Sequence, residues 1–264
     1  MSRLSESALF AVQDHRQDPP AQVLCFPHAG GNPLGFLDWQ RQLGQHARVV
    51  AVCPAGRAHR IDEPAPASIA ELADHIAEAV AGALDRPTIL FGHSLGAMVA
   101  FEVARRLAGL PEVRHLVASG AAAPCLLPTE RVVRAARLTG PAFAEAVGFF
   151  GGLPPEIAAD EDLQELLLPG VRADFRLAAG YQYRAAAPLD LGLTLINGRD
   201  DPHVRADLLD RWAVEVTVTP ARRWSQGGHF YFVDRPEAVT EVLLSVVREA
   251  GAPARQAAEH VEVI

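Results

Sequence analysis

The stretch Thr88-Ile89-Leu90-Phe91-Gly92-His93-Ser94-Leu95-Gly96-Ala97-Met98 constrains this chain more than any other. An apolar run of β-forming residues leads directly into Gly-x-Ser-x-Gly, and small residues follow at Ala97, Ala100 and Ala104. That order describes a strand entering a helix through a strained turn with the serine Oγ exposed at its apex. Gly92 and Gly96 keep bulk away where backbone segments pass closely. Ser94 is therefore a candidate nucleophile. His93 lies inside the motif and reads as a residue that positions the turn, not as a proton carrier.

A chain of 264 residues can bury a large core, and one α/β domain spanning residues 1–264 is expected. With 24 basic and 32 acidic residues the formal charge is -8, which argues against a nucleic-acid surface or a basic membrane face. No apolar run reaches the roughly 18 residues of a membrane-spanning helix. The start, Met1 to Gln22, is polar without a continuous apolar core, so a soluble, cytoplasmic protein is expected. Cys25, Cys53 and Cys125 show no ligand spacing, and neither a disulfide nor a metal is implied.

Along the chain, residues 1 to about 20 read as a loosely ordered lead-in ahead of the β-run Gln22–Phe26. Pro27-His28-Ala29-Gly30-Gly31 follows at once, and a glycine pair after a strand lets the backbone turn sharply and present N–H groups. Leu34–Gln45 reads as a helix and Arg48–Cys53 as a strand. In the polar segment Gly56–Pro64, Arg57 and Arg60 read as loop anchors pairing with Asp62 and Glu63, in preference to phosphate contacts. Ser68-Ile69-Ala70-Glu71 is a capping box opening a helix with Ile69, Leu72, Ile76, Val80 and Leu84 on one face.

Val113–Ser119 is a further strand, after which the alternation of strand and helix stops. Residues of about 125–188 form an irregular helical insertion, split by Phe149-Phe150-Gly151-Gly152-Leu153-Pro154-Pro155. An apolar insertion with a glycine-proline joint is expected to act as a lid, with Phe143, Phe149 and Leu167 contacting substrate. Alternation resumes with the β-run Leu191–Ile196, a turn holding Asp200 and Asp201, a helix over Val204–Trp212 and a strand over Val214–Val218. A loop, Gln226-Gly227-Gly228-His229-Phe230, precedes the last helix, which Asp234–Glu237 caps, and residues 252–264 are expected to form a disordered tail.

A serine hydroxyl is a weak nucleophile at neutral pH and needs an imidazole to take its proton and a carboxylate to orient that imidazole. In the α/β-hydrolase plan these follow in the order Ser, Asp or Glu, His, and the loop after the first strand supplies an oxyanion-hole amide. The chain has that order: Ser94, then an acid after the late strand, then His229, whose glycines free its loop. The N–H groups of Ala29 and Leu95 are the expected oxyanion donors. Some hydrolases of this plan place the acid after the strand that follows the elbow helix. Here Ser119–Pro124 holds no carboxylate, which leaves Asp200 or Asp201.

The motifs together resemble the type II thioesterases, stand-alone editing enzymes of polyketide synthases and nonribosomal peptide synthetases. The resemblance rests on Phe26–Gly31, Gly56-Arg57 with Arg60 and Glu63-Pro64, Gly92–Ala97, Leu168-Pro169 with Arg172–Phe175, Gly198–Pro202 and Gly227–Phe230. It spans residues of about 20 to 250. Leu95 replaces a common methionine, which leaves a backbone donor intact, and Ala55 replaces a frequent proline, which leaves the role of Arg57 open. Alignment with the family's acid, the spacing from Gly198 and the stiffness of Pro202 favour Asp201 over Asp200.

The resemblance implies an α/β-hydrolase fold, a mostly parallel sheet flanked by helices, carrying the helical insertion as a lid. It implies hydrolysis of acyl thioesters on the phosphopantetheine arm of acyl or peptidyl carrier protein domains, with no cofactor and no metal. Two other readings fit the same residues: an esterase or lipase acting on free oxygen esters or acyl-CoA, and a non-catalytic hydrolase-fold binding protein.

Overall fold

The computed structural model describes residues 3–13, 18–151 and 155–251. Seven strands form one sheet: β1 (Phe10–Val12), β2 (Ala21–Phe26), β3 (Ala47–Val52), β4 (Thr88–His93), β5 (Val113–Ser119), β6 (Gly192–Gly198) and β7 (Ala221–Ser225). Their spatial order is β1-β3-β2-β4-β5-β6-β7. β1 is antiparallel to β3, and every other pair is parallel. All six residues of β2, β3 and β4 are buried, as in parallel strands covered on both faces.

The helices are α1 (Gln40–Leu43), α2 (Ile69–Ala81), α3 (Leu95–Arg106), α4 (Glu130–Ala136), α5 (Gly140–Phe149), α6 (Pro155–Ala158), α7 (Glu161–Ala179), α8 (Ala206–Leu209) and α9 (Glu237–Gly251). Side-chain alternation sorts them onto the two faces. Leu24, Phe26, Val50 and Leu90 join one core with Ile69, Leu72 and Ile76 of α2 and Met98, Phe101 and Val103 of α3. Val23, Cys25, Val49 and Ile89 join another with Leu43 of α1 and Val239, Leu243 and Val246 of α9. Each fully buried branched or aromatic side chain contributes about 1.5–3 kcal/mol through removal from water. The α2 N-terminus is capped by Ser68 Oγ, which accepts the Glu71 N–H at 3.1 Å. The reciprocal bond runs from Ala67 N–H to Glu71 Oε2 at 2.8 Å, one residue before the cap.

Four expectations from the sequence change. The lead-in contains β1, anchored by buried Leu4 and Phe10, because an apolar edge strand pairs with β3. Leu34–Gln45 is mostly a 3₁₀ segment, Pro33–Trp39, followed by the short α1. The Val204–Trp212 helix is cut to α8 plus a 3₁₀ segment, Asp210–Val214. Val214–Val218 is not a strand: Glu215 and Val216 are both buried while Val214 and Val218 are exposed, so the apparent alternation does not face a sheet. Only Val216 makes a bridge, to Leu189, and the seventh strand lies further on at β7.

The insertion between β5 and β6 is α4 to α7, with a core of its own formed by Ala135, Ala136, Phe143, Val147 and Phe175. Gly152, Leu153 and Pro154 of the expected hinge lie outside the described residues, as does the segment 252–264.

Candidate active site

The register of the central strands brings three loops to one edge of the sheet. Phe26 pairs with Gly92, so the chain leaves β2 and β4 at the same level, and Ser119 pairs with both His93 and Ile196. Loops following the carboxyl ends of parallel strands, where strand order reverses, are where open α/β sheets hold ligands. Here β2 and β4 are those strands, since β3 lies on the far side of β2.

Ser94 sits between β4 and α3 with φ 54 and ψ -117, a conformation a side chain rarely adopts. Such a residue costs about 1–3 kcal/mol and persists when its surroundings over-determine it. Ser94 N–H donates to Ser119 O at 2.8 Å, and Ser94 O accepts the Ala97 N–H at 3.0 Å. A Cβ at Gly92 would overlap the Gly96 carbonyl, and one at Gly96 would overlap the Phe26 carbonyl. The two motif glycines thus permit three backbone segments to cross in contact.

His229 Nδ1 lies 2.7 Å from Asp201 Oδ2, and both residues are buried. A carboxylate only accepts, so the proton sits on Nδ1 and leaves Nε2 free to accept. The other carboxylate oxygen, Asp201 Oδ1, accepts the His203 N–H at 2.8 Å. Asp200 is exposed. The loop carrying His229 is tied to the acid turn by Arg199 N–H to Ser225 O at 2.9 Å and Asp200 N–H to Gly227 O at 3.0 Å.

Ser94, His229, Ala29 and Leu95 line one cavity of about 390 Å³, together with the apolar side chains of Met98, Leu127, Val132, Phe150, Phe175 and Val204. The Leu95 N–H is the first of α3 and has no intrahelical acceptor. In the facing loop, Gly30 N–H is taken by Asp174 Oδ2 at 2.7 Å and Gly31 N–H by His28 O at 2.9 Å. Ala29, between His28 and these two glycines, lines the cavity.

Three other imidazoles surround His229. His93 lies 4.7 Å from it, ring to ring, and its Nδ1 is 2.9 Å from Ser119 Oγ, itself 2.6 Å from the Tyr231 hydroxyl. His203 meets the His229 ring edge-on at 5.2 Å and stacks on Phe150 at 4.5 Å. His28 donates from Nδ1 to Ala29 O at 2.9 Å. Burial holds His93 well below the usual imidazole range and lowers His28 and His203 to about 4. All three are neutral at pH 7, which leaves His229 as the one among them with a carboxylate partner. His93, Ser119 and Tyr231 thus form a buried hydrogen-bonded network beside His229. Their only signal in the sequence was proximity to the motif, to a strand end and to His229.

The three expected substrate contacts lie in different surroundings. Phe143 is buried in the insertion's own core, Phe149 is exposed beside a neighbouring cavity that His229 also borders, and Leu167 is exposed on α7. None of the three lines the cavity that holds Ser94, whereas Phe150 and Phe175 do. A one-residue step along a helix turns a side chain by about 100°, and local periodicity does not say which way the helix is docked. The anchor pairing also differs. Arg60 bonds Glu63 as expected, with Nε at 2.9 Å from Oε1, but Arg57 contacts neither Asp62 nor Glu63. It donates to the carbonyls of His28 and Gly31 at 3.1 and 3.2 Å and pairs with Asp174. Among the described residues no cluster of histidine, cysteine or acidic side chains could hold a metal, and no helix is long and apolar enough to cross a membrane.

A mostly parallel sheet, a serine at a strained strand-helix turn and a carboxylate-imidazole pair on the same cavity define the α/β-hydrolase class. Residues 21–246 match the family model described as Thioesterase domain, and the chain belongs to that family. It is a serine hydrolase of thioesters. The linear gramicidin dehydrogenase LgrE of Brevibacillus parabrevis is 32% identical over 235 residues, 86% of this chain and 89% of that protein. This chain has no Gly-x-Gly step, the opening of the common dinucleotide-binding loop. The thioesterase RedJ from the prodiginine pathway in Streptomyces coelicolor superposes with a TM-score of 0.79 at 32% identity, covering 90% of each chain. The type II thioesterase BorB from the borrelidin biosynthetic cluster gives a TM-score of 0.79 at 29% identity, covering 90% of this chain and 97% of its own.

Proposed function

We propose that this protein hydrolyses acyl thioesters from the phosphopantetheine arm of acyl or peptidyl carrier proteins, clearing misprimed or stalled units from a polyketide or nonribosomal peptide synthase in the cytoplasm. The observation that carries the reading is the 2.7 Å contact of Asp201 with His229 at a cavity that Ser94 shares. The likeness to a thioesterase of prodiginine biosynthesis and to a type II thioesterase of a borrelidin cluster supports the substrate class.

In this reading Ser94 Oγ attacks the thioester carbonyl carbon as its proton passes to His229 Nε2, while Asp201 holds the imidazole in the required tautomer. The carbonyl oxygen becomes an oxyanion bonded by the N–H groups of Ala29 and Leu95. Collapse breaks the C–S bond, and the departing sulfur takes the proton from His229. Water then attacks the acyl-serine with His229 again as base, which releases the carboxylic acid and restores Ser94. The acyl chain lies against Met98, Val132, Phe150 and Phe175, in a cavity large enough for a sizeable acyl group.

The test compares one acyl group as a carrier-bound thioester, an acyl-CoA and an oxygen ester, with Ser94→Ala as the blank. Release from the carrier with kcat/KM at least tenfold above the other two is expected. Equal or faster cleavage of the oxygen ester would overturn the substrate class.

A further inference from the structure

Asp174 lies on α7, in the insertion, yet its carboxylate is buried 8% exposed against the turn that follows β2. Burial pushes this carboxyl's pKa up, with the Arg57 guanidinium opposing that shift. A helix that needed only to cover the sheet would meet this place with an apolar side chain, because an ionised group there costs free energy unless it is fully bonded. It is well bonded. Asp174 Oδ2 accepts the Gly30 N–H at 2.7 Å and pairs with Arg57, whose Nη1 donates to the carbonyls flanking the same turn, His28 O at 3.1 Å and Gly31 O at 3.2 Å.

Three groups of the turn are thereby held on either side of Ala29, which lines the cavity that Ser94 shares. The helix also contacts the turn sterically. Gly30 has φ +72, and a Cβ there would come within 2.9 Å of Val171 Cγ2, one turn before Asp174 on the same face of α7. Ala29 itself packs against the insertion's core.

We propose that Asp174, acting with Arg57, is a positioning residue for hydrolysis: by accepting the Gly30 N–H it aims the adjacent Ala29 N–H at the oxyanion. The insertion helix is then a structural part of the oxyanion hole as well as a cover for the acyl chain. The inference rests on the serine-hydrolase reading of Ser94 but not on the identity of the thioester.

Asp174→Asn and Asp174→Ala separate positioning from folding. Asparagine is isosteric and keeps an oxygen for Gly30 N–H, though it loses the charge partner of Arg57. Alanine loses both. Removing an oxyanion donor outright costs about 10²–10³ in turnover. A misaimed donor is expected to cost less: about 10- to 100-fold in kcat for Asp174→Ala, a smaller loss for Asp174→Asn, and KM changed less than about threefold in both. A second readout is independent of the substrate. A fluorophosphonate phosphonylates Ser94 with its phosphoryl oxygen in the same hole, so its labelling rate should fall in parallel with kcat. The proposal is overturned if a folded Asp174→Ala protein, whatever its thermal stability, labels Ser94 and turns over within threefold of wild type, or, should the alanine variant not fold, if Asp174→Asn shows no fall in either rate. If wild type labels but cleaves no thioester, the substrate reading fails, and the labelling rates still decide the role of Asp174.

Discussion

The sheet edge that carries Ser94 and the helical insertion that covers it differ most plainly in what surrounds their glycines. At the edge, an added Cβ on Gly92 or Gly96 would run into a backbone carbonyl, which cannot move aside. In the insertion, Gly140, Gly148 and Gly170 have nothing within 4 Å of the same position. One region is built from backbone crossing backbone, and the other from side chains packed into a small core. The difference separates two jobs. Fixed amides and a fixed serine suit a transition state whose charge develops at one point, while a cover built from packed side chains presents the apolar lining beside that point. The Asp174–Arg57 pair is where the two regions meet.

The largest effect expected on the rigid side is at the nucleophile itself. Ser94→Ala should lower hydrolysis by about 10⁶-fold and abolish fluorophosphonate labelling, with circular dichroism and melting little changed. A tenth of the wild-type rate in that variant would remove Ser94 from the chemistry.

Next comes Asp201, the proposed orienting acid. Asp201→Asn should cost about 10³–10⁴ in kcat because the amide favours the wrong imidazole tautomer. Asp200→Asn, at an exposed position, should cost less than about tenfold, so that the two barriers differ by at least about 3 kcal/mol. Parallel rates on one acyl thioester check it, and a larger loss at Asp200 would put the acid on the other residue.

Gly96→Ala tests the backbone crossing directly. It forces β2 and α3 apart, for an expected loss above about 4 kcal/mol and a fall in Tm of about 10 °C or more. A variant melting within about 2 °C of wild type would show that the crossing can relax.

On the covering side, Phe143→Ala should lower stability by about 3–5 kcal/mol through the cavity it leaves, and leave acyl-length preference unchanged. Phe150→Ala should instead shift that preference by about tenfold in kcat/KM between neighbouring chain lengths. A length series assayed on both variants distinguishes them, and reversed outcomes would mean that the acyl chain reaches the insertion's own core.

The smallest expected effect is a gain. Gly148→Ala, in an exposed helical position with open space around it, should stabilise by about 0.5–1 kcal/mol, about 1–3 °C in Tm. Thermal melts of this variant beside Gly96→Ala show whether the two kinds of glycine differ in sign.

Much of the edge was legible in the sequence because its chemistry is local. A β-run, a glycine-flanked serine and a small-residue helix specify a strand-turn-helix without reference to the rest of the chain, and the glycine turns at Ala29 and before His229 follow strand ends in the same way. The helix Ile69–Ala81 was readable from its cap and its apolar spacing. Partners far apart in the chain were not readable. Arg57 could be assigned to nearby Asp62 and Glu63 on sequence distance, but the docking of α7 brings it Asp174 instead. Phe143, Phe149 and Phe150 are alike in composition and neighbourhood, and only the angle at which α5 meets α4 and α7 decides which of them lines the cavity that Ser94 shares. β1 is not legible in the sequence because three residues carry no periodicity, and β7 is not because its exposed arginines lack the apolar alternation that a strand usually shows. The sequence by itself determined the turn that exposes Ser94, since that geometry depends on steric limits within a few residues. Tertiary structure alone decided what lines the cavity and what braces the oxyanion turn, because those depend on contacts between helices whose local patterns are satisfied equally well in other orientations.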